Sequence, residues 1–214
     1  MSRRRVVVTG LGIVSPLGND LASSWDGIVH GRSGIGPVDS FDASAYATRI
    51  AGLVRGFDPT LFVTAKDAKK MDPFIHYGLA ASLMALDDSG LEITEANGER
   101  IGAIIGAGIG GIHGIEEQTI RLHEGGPRKV SPFYIPSTII NMLPGQLSIM
   151  KGIKGPSFSV VSACATSNHS IGVAMRTIQY GDADMMVAGG AELGSSPTSM
   201  AGFCSMKAMS TRND

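Results

Sequence analysis

The sequence has little of what builds disulfide frameworks, metal centres or membrane spans. Its 214 residues include two cysteines, Cys164 and Cys204, too few for a disulfide scaffold or a zinc knuckle, and a reducing, cytoplasmic setting is expected for free thiols. The five histidines show no HExxH spacing, so no metal is expected. No run approaches the roughly 20 apolar residues of a membrane-spanning helix. The formal charge is −1, which excludes a global attraction to nucleic acid or to anionic lipid and leaves any charged partner to a local patch. The opening SRRRVVVTGLGIVS imitates a signal peptide. Thr9, Gly10 and Gly12 interrupt its apolar run and no small-x-small cleavage site follows, so export is not expected.

What is present is a globular α/β composition: 43% hydrophobic and 17% charged residues, with 29 glycines and 11 methionines suited to tight turns and adaptable packing. A chain of this length, as one large domain or two small ones, buries about 70% of its unfolded surface. Arg5 to Val14 reads as a strand whose Val6, Val7 and Val8 are covered on both faces. Asn19 and Asp20 offer caps for a helix through His30, with Leu21, Trp25, Ile28 and Val29 at helical spacing. A short strand is expected within Arg49 to Val54. Asp72 and Pro73 start a helix whose apolar stripe runs from Phe74 to Leu86 and stops at Gly90. Ile101 to Ile105 is a buried strand, and Gly111 to His123 a helix with Ile112, Ile115 and Leu122 inward. Pro136, Pro144 and Gly145 break Pro132 to Lys151 into short helices. Asp184 to Ala188 is a strand and Pro197 to Met209 contains a helix. Strands alternating with helices predict a mainly parallel, layered α/β sheet.

The chemistry centres on Cys164, placed where a short buried strand, Phe158 to Ser162, turns into a helix ending at Gly181. The first turn of a helix aims unpaired N–H groups and the positive end of the dipole at such a residue, which favours thiolate and could hold the oxygen of a thioester under attack. Inert packing is the competing reading of a lone cysteine. His169 lies about 140° around the helix from Cys164, so it is expected to hold local structure rather than to take the thiol proton. Gly106, Gly108 and Gly111 spell GxGxxG between a strand and a helix, but no second strand ending in an acidic residue follows. A turn that admits close backbone approach is the preferred reading. Basic residues fall in separate clusters, Lys66, Lys69 and Lys70, Arg128 and Lys129, Lys151 and Lys154, and Lys207. They are either solvated surface or, where they converge, a landing site for an acidic partner.

VVVTGLGIVSPLG, GAGIGG, GGPRKVSPFYIPSTIINM, SACATSNHSIG, GDADMMVAGGAE and MSTRND, in this order, closely resemble the elongating β-ketoacyl-acyl carrier protein synthases. The resemblance covers residues 1–214 and implies an α/β thiolase-like fold, the first half of a duplicated βαβαβαββ, five-layered architecture. It implies an acyltransferase of fatty acid synthesis: Cys164 takes an acyl chain as thioester, and decarboxylated malonyl-acyl carrier protein attacks it to give a 3-oxoacyl chain two carbons longer. It further implies an acyl pocket lined or gated by Ile109, Tyr134 and Phe203, and a carrier-protein surface of Lys66, Lys69, Lys70, Arg128, Lys129 and Lys207. No cofactor is expected beyond the phosphopantetheine arm that delivers the substrates. A homodimer is expected, and two catalytic histidines, a lysine and a second oxyanion amide are expected beyond Asp214. A polyketide ketosynthase and a non-catalytic carrier-binding partner subunit are the alternatives, and a cysteine rather than an inert residue at position 164 speaks against the second. GFCSMKAM departs from the glycine-rich run common in the family, which leaves chain-length preference open.

Overall fold

The computed structural model describes residues 4–214. Helix α1 (Leu21–Val29) leads into an antiparallel pair, β1 (Ile35–Pro37) and β2 (Ile50–Gly52). The short α2 (Ala65–Ala68) and the long α3 (Pro73–Ser89) follow, then strand β3 (Ile101–Gly106) and helices α4 (Ile112–Gly125), α5 (Tyr134–Thr138) and α6 (Met142–Lys151). Strand β4 (Ser157–Phe158), helix α7 (Thr166–Tyr180), strand β5 (Met185–Gly190) and helix α8 (Pro197–Ser205) complete the chain.

β3 is the axis, buried at every residue and flanked in parallel by β4 and β5. Its register with β5 runs from Ile101 opposite Met185 to Gly106 opposite Gly190. Alternation along β3 separates two faces: Ile101, Ala103 and Ile105 join a core with Phe74, Ile75 and Leu79 of α3 and Leu143 and Leu147 of α6. α7 packs against β3 and β5 and reaches Gly106, so it covers the opposite face. Each of those five helix side chains is fully buried, a gain of about 1.5–3 kcal/mol apiece. The predicted layered, parallel α/β organisation is therefore present, with three parallel strands among the described residues rather than the five of the implied half-fold.

Local signals gave the right elements where they were strong. Asp72 accepts from the Phe74 N–H at 3.2 Å, Pro73 opens α3 and Gly90 ends it at φ 64°, as Asp-Pro and Gly punctuation dictates. β2 falls inside the expected 49–54 segment, and α5 and α6 are the expected broken helices.

Four expectations are corrected. Arg5 to Val14 makes no ladder, and Val7 and Val8 are 66% and 75% exposed. The segment is held instead against α3, where Gly10 and Gly12 leave room for the carbonyls of Ala85 and Ala81 and the Leu11 N–H donates to Asp88 Oδ2 at 2.8 Å. α1 faces the opposite way from its apolar pattern: Ser24 and Gly27 are buried while Trp25, Ile28 and Val29 are exposed. Polar anchoring decides that face, since the Ser24 hydroxyl donates to the Gly18 carbonyl at 3.1 Å and lies 2.9 Å from the Ser15 hydroxyl. In α4 the buried residue is Gln118, whose Oε1 accepts from the Ser131 N–H at 2.8 Å, and Ile115 and Leu122 are exposed. The strand before Cys164 pairs only at Ser157 and Phe158 and is exposed.

The entrances to β3 and β5 are joined by Asp184, which accepts from Arg100 Nε and Nη2, both at 3.0 Å, and from Arg4 Nη1 at 2.9 Å. The two guanidinium groups push its carboxyl down to about 2. The group is exposed to water, so its ion pairs add little stability.

Candidate active site

After Phe158 the chain stays beside β3 through the Ser159 hydroxyl, which donates to the Ile105 carbonyl at 2.7 Å. It then turns abruptly. Ser162 has φ −153° and ψ 42°, and Ala163 has φ 50°. Ala163 and Lys207 alone among the described non-glycine residues occupy positive φ, a conformation costing on the order of 1–3 kcal/mol. Residues Ala163–Ala165 form one 3-10 turn that feeds directly into α7. Cys164 sits on that turn with an exposed side chain, two residues before the first residue of α7. It is thus presented at the head of the helix as the sequence predicts, on a turn rather than in the helix itself.

Three hydrogen bonds fix the residue at the start of the turn. The Ser162 N–H donates to Thr166 Oγ1 at 2.8 Å, the Ala165 N–H donates to the Ser162 carbonyl at 3.1 Å, and the Ser162 hydroxyl pairs with His169 Nδ1 at 2.5 Å. His169 therefore bonds to Ser162, in keeping with a structural role for it.

The GAGIGG loop lies against this turn. A Cβ on Gly106 would stand 2.2 Å from the Val160 carbonyl oxygen, and one on Gly108 would stand 3.4 Å from Ala163 Cα. Gly106 is therefore required for close backbone approach, while Gly108 is in ordinary contact with the turn. The N–H groups of Ile109 and Gly110 donate to Oε2 and Oε1 of Glu192 at 2.7 and 3.1 Å. A carboxylate from the chain itself thus occupies the donors that a phosphate would need, which argues physically against nucleotide binding.

Of the expected acyl-pocket residues, Ile109 is on the loop that touches the Cys164 turn, and its side chain is exposed. Tyr134 opens α5, which reaches the same loop where the Gly111 N–H donates to the Thr138 carbonyl at 3.0 Å. Phe203 is exposed on α8, which is joined to α4 through Thr198 N–H and Glu116 Oε2 at 3.2 Å. Two cavities, of about 500 and 550 Å³, lie elsewhere, around Phe41, Tyr77 and Ile120 and around Tyr77, Leu193 and Met200. Neither is lined by Cys164, Ile109, Tyr134 or Phe203.

The basic clusters converge in part. Lys66 lies on α2, Lys69 caps it and Lys70 follows, its ammonium 2.7 Å from Asp67 and 5.7 Å from the centre of the Phe133 ring. That contact brings the α2 cluster to the segment whose 3-10 turn, Pro127–Lys129, exposes Arg128 and Lys129. Lys207 lies on a separate arm, where the Thr48 hydroxyl donates to the Ser210 carbonyl at 2.8 Å and the Arg49 N–H to Asn213 Oδ1 at 2.6 Å.

Sequence reasoning missed Glu192 as the partner of the glycine loop. The available signal was an acidic residue just past the end of the strand that lies beside β3. It also read Asp72 only as a helix cap. Asp72 is 4% exposed and accepts additionally from the Gly114 N–H at 2.6 Å, and burial pushes its carboxyl up.

Comparison with known proteins bears directly on this arrangement. Residues 3–214 match the family described as Beta-ketoacyl synthase, N-terminal domain. The 3-oxoacyl-[acyl-carrier-protein] synthase 2 of Vibrio harveyi is 58% identical over 214 residues, covering 100% of this chain and 52% of the relative. The protein of the same name from Coxiella burnetii is 49% identical over the same shares. Among solved structures, the ishigamide ketosynthase/chain length factor superposes with a TM-score of 0.88 at 29% identity, over 98% of this chain and 52% of that one. A type II PKS acyl-carrier protein in complex with its ketosynthase bound to the hexaketide gives 0.80 at 28% identity, over 94% and 55%. The layered α/β fold is thus the thiolase-like fold of ketosynthases, and the chain spans about half the length of the curated relatives it matches. With an exposed cysteine on a strained turn at the head of α7, a glycine loop laid against it and a family match from residue 3 to residue 214, the chain belongs to the beta-ketoacyl synthase family, as its N-terminal domain.

Proposed function

We propose that the protein carrying this chain is a condensing enzyme of fatty acid elongation in which Cys164 is the acyl acceptor. The observation that carries the reading is the exposed Cys164 on its fixed turn, in a chain 58% identical to a 3-oxoacyl-[acyl-carrier-protein] synthase 2. The Cys164 sulfur attacks the carbonyl of an acyl thioester on acyl carrier protein. The new C–S bond forms as the bond to the phosphopantetheine sulfur breaks, and the carrier thiol leaves with the proton. Malonyl-acyl carrier protein then loses CO₂, and its carbanion attacks the Cys164 thioester. The new C–C bond forms, Cys164 sulfur leaves, and 3-oxoacyl-acyl carrier protein departs two carbons longer. Small residues, Ala163 and Ala165, flank the nucleophile and leave room for the chain.

The proton-handling histidines, the lysine and the second oxyanion donor belong, on this reading, to the other half of the synthase. Ile109, Tyr134 and Phe203 line the acyl path. The carrier protein lands on Lys66, Lys69, Lys70, Arg128 and Lys129, with Lys207 on a second arm. Support for that partner comes from the solved ketosynthase that holds an acyl-carrier protein. The phosphopantetheine arm brings the substrates, the protein requires no cofactor of its own, and it acts as a cytoplasmic homodimer; no helix of the described residues is long and apolar enough to cross a membrane.

The test is to incubate the full-length protein with acyl-acyl carrier protein and to locate the acyl mass by peptide mass spectrometry. The mass is expected on the peptide containing Cys164. Its appearance on that peptide in Cys164→Ala removes the assignment.

A further inference from the structure

The geometry points to Ser162 and His169 as a pair of positioning residues that hold the nucleophile turn in its reactive shape. The inference rests on the reading of Cys164 as the acyl acceptor and adds to it the device that keeps the sulfur in place. Ala163 occupies positive φ immediately before Cys164, and a lone non-glycine residue stays there only where its surroundings over-determine it. The residue on its N-terminal side is held at three points. Ser162 is bonded at its N–H to Thr166, at its carbonyl to Ala165 and at its hydroxyl to His169. Two of these bonds belong to the turn and its helix junction. The third reaches forward to His169 on the exposed side of α7, so it couples the start of the turn to the body of the helix. With it, the backbone on both sides of Cys164 refers to one rigid element, and the sulfur is fixed relative to α7 and its N–H groups. Without it, Ser162 keeps its backbone bonds to Thr166 and Ala165 but loses its tie to the body of α7, which gives Ala163 latitude to relax toward negative φ and the sulfur latitude to shift.

His169 acts in this scheme through Ser162. It is a positioning residue, and the structure gives it no bond to Cys164. A side chain that places a hydrogen-bonding nitrogen or oxygen where His169 has Nδ1 should therefore serve. Asparagine can do so, whereas alanine cannot.

The experiment uses the full-length protein with His169→Ala, Ser162→Ala, the double variant and His169→Asn. Two rates are read: Cys164 alkylation by iodoacetamide, and acyl transfer to Cys164 from acyl-acyl carrier protein resolved into kcat and KM. Thermal melts accompany both. Each alanine variant is expected to lower both the alkylation rate and kcat by about five- to tenfold, the size of one lost hydrogen bond that orients a reacting atom, with KM unchanged. The double variant should be no slower than either single one, and His169→Asn should recover most of the rate. Additive losses in the double variant, a change confined to KM, or His169→Asn as slow as His169→Ala while its melt stays at the wild-type temperature would overturn the pairing. The two readings fail separately. If wild-type Cys164 takes no acyl group but its alkylation obeys the pattern above, the condensing function is wrong and the pairing stands. If acylation proceeds and neither rate responds to the variants, the pairing is wrong and the function stands.

Discussion

Removing the Glu192 carboxylate tests whether the glycine loop is held by a tethered anion. Glu192 satisfies two consecutive backbone donors, Ile109 N–H at 2.7 Å and Gly110 N–H at 3.1 Å, and the same loop lies against Ala163 through Gly108. Hydrogen bonds to a charged acceptor contribute about 1.5–3 kcal/mol each when sheltered, and neutral ones about 1. Glu192 is exposed, so the lower figure applies, and Glu192→Ala should cost about 2 kcal/mol in all. In a large domain that is a fall in Tm of about 4 °C. Glu192→Gln keeps one acceptor oxygen but turns an amide donor toward the second N–H, so it should lie between the two. The decisive assay is hydrogen exchange of the Ile109 and Gly110 amides in the full-length protein. Both should lose protection in Glu192→Ala, while amides in the centre of β3, such as Ala103 and Ile104, keep theirs. Equal protection of Ile109 and Gly110 in wild type and Glu192→Ala would refute the clamp, whatever the melting temperature does.

On the proposed docking of acyl carrier protein, charge reversal in two of the basic clusters, Lys66→Glu with Arg128→Glu, should weaken its binding about tenfold or more at low salt and flatten the dependence on salt. Anisotropy titrations at two ionic strengths check this, and an unchanged salt slope would remove these residues from the docking surface. His76 donates from Nε2 to the Ala68 carbonyl at 2.9 Å, and burial pushes its imidazole below the ordinary 6.5. A base with a lowered folded value contributes stability that is complete above 6.5 and is lost as pH falls below it. His76→Gln should therefore abolish part of the acid-side loss that sets in below pH 6.5 in urea midpoints, and a variant with the wild-type slope there would contradict it. Asp72 runs the other way: burial raises its carboxyl, so its contribution is complete below 3.8 and fades as pH rises above it.

Elements whose causes are local were legible in the sequence. Asp72, Pro73 and Gly90 bracket α3 because capping and proline geometry act within a few residues. The position of Cys164 at the head of a helix was legible from the helical pattern that follows it, although the strand expected up to Ser162 ends at Phe158. Features that depend on distant residues were not. The apolar run at Val6 to Val8 announces a need for cover without saying what provides it, and α1 turned its serine inward because Ser15 and Gly18 offered hydrogen bonds. The glycine loop could be read as a close-approach turn, but its partner Glu192 lies more than eighty residues away, and no local periodicity connects the two. The positive φ of Ala163 likewise has no sequence signature, since alanine is not a residue that announces it.

That backbone angle constrains anyone who would redesign the neighbourhood of Cys164. A valine or isoleucine at position 163 would bring a branched carbon into a conformation such residues all but never adopt, so libraries there should return only glycine, asparagine and similarly undemanding substitutes. Room for altered substrates has to be cut from the surrounding walls, because the residue beside the sulfur leaves almost no latitude.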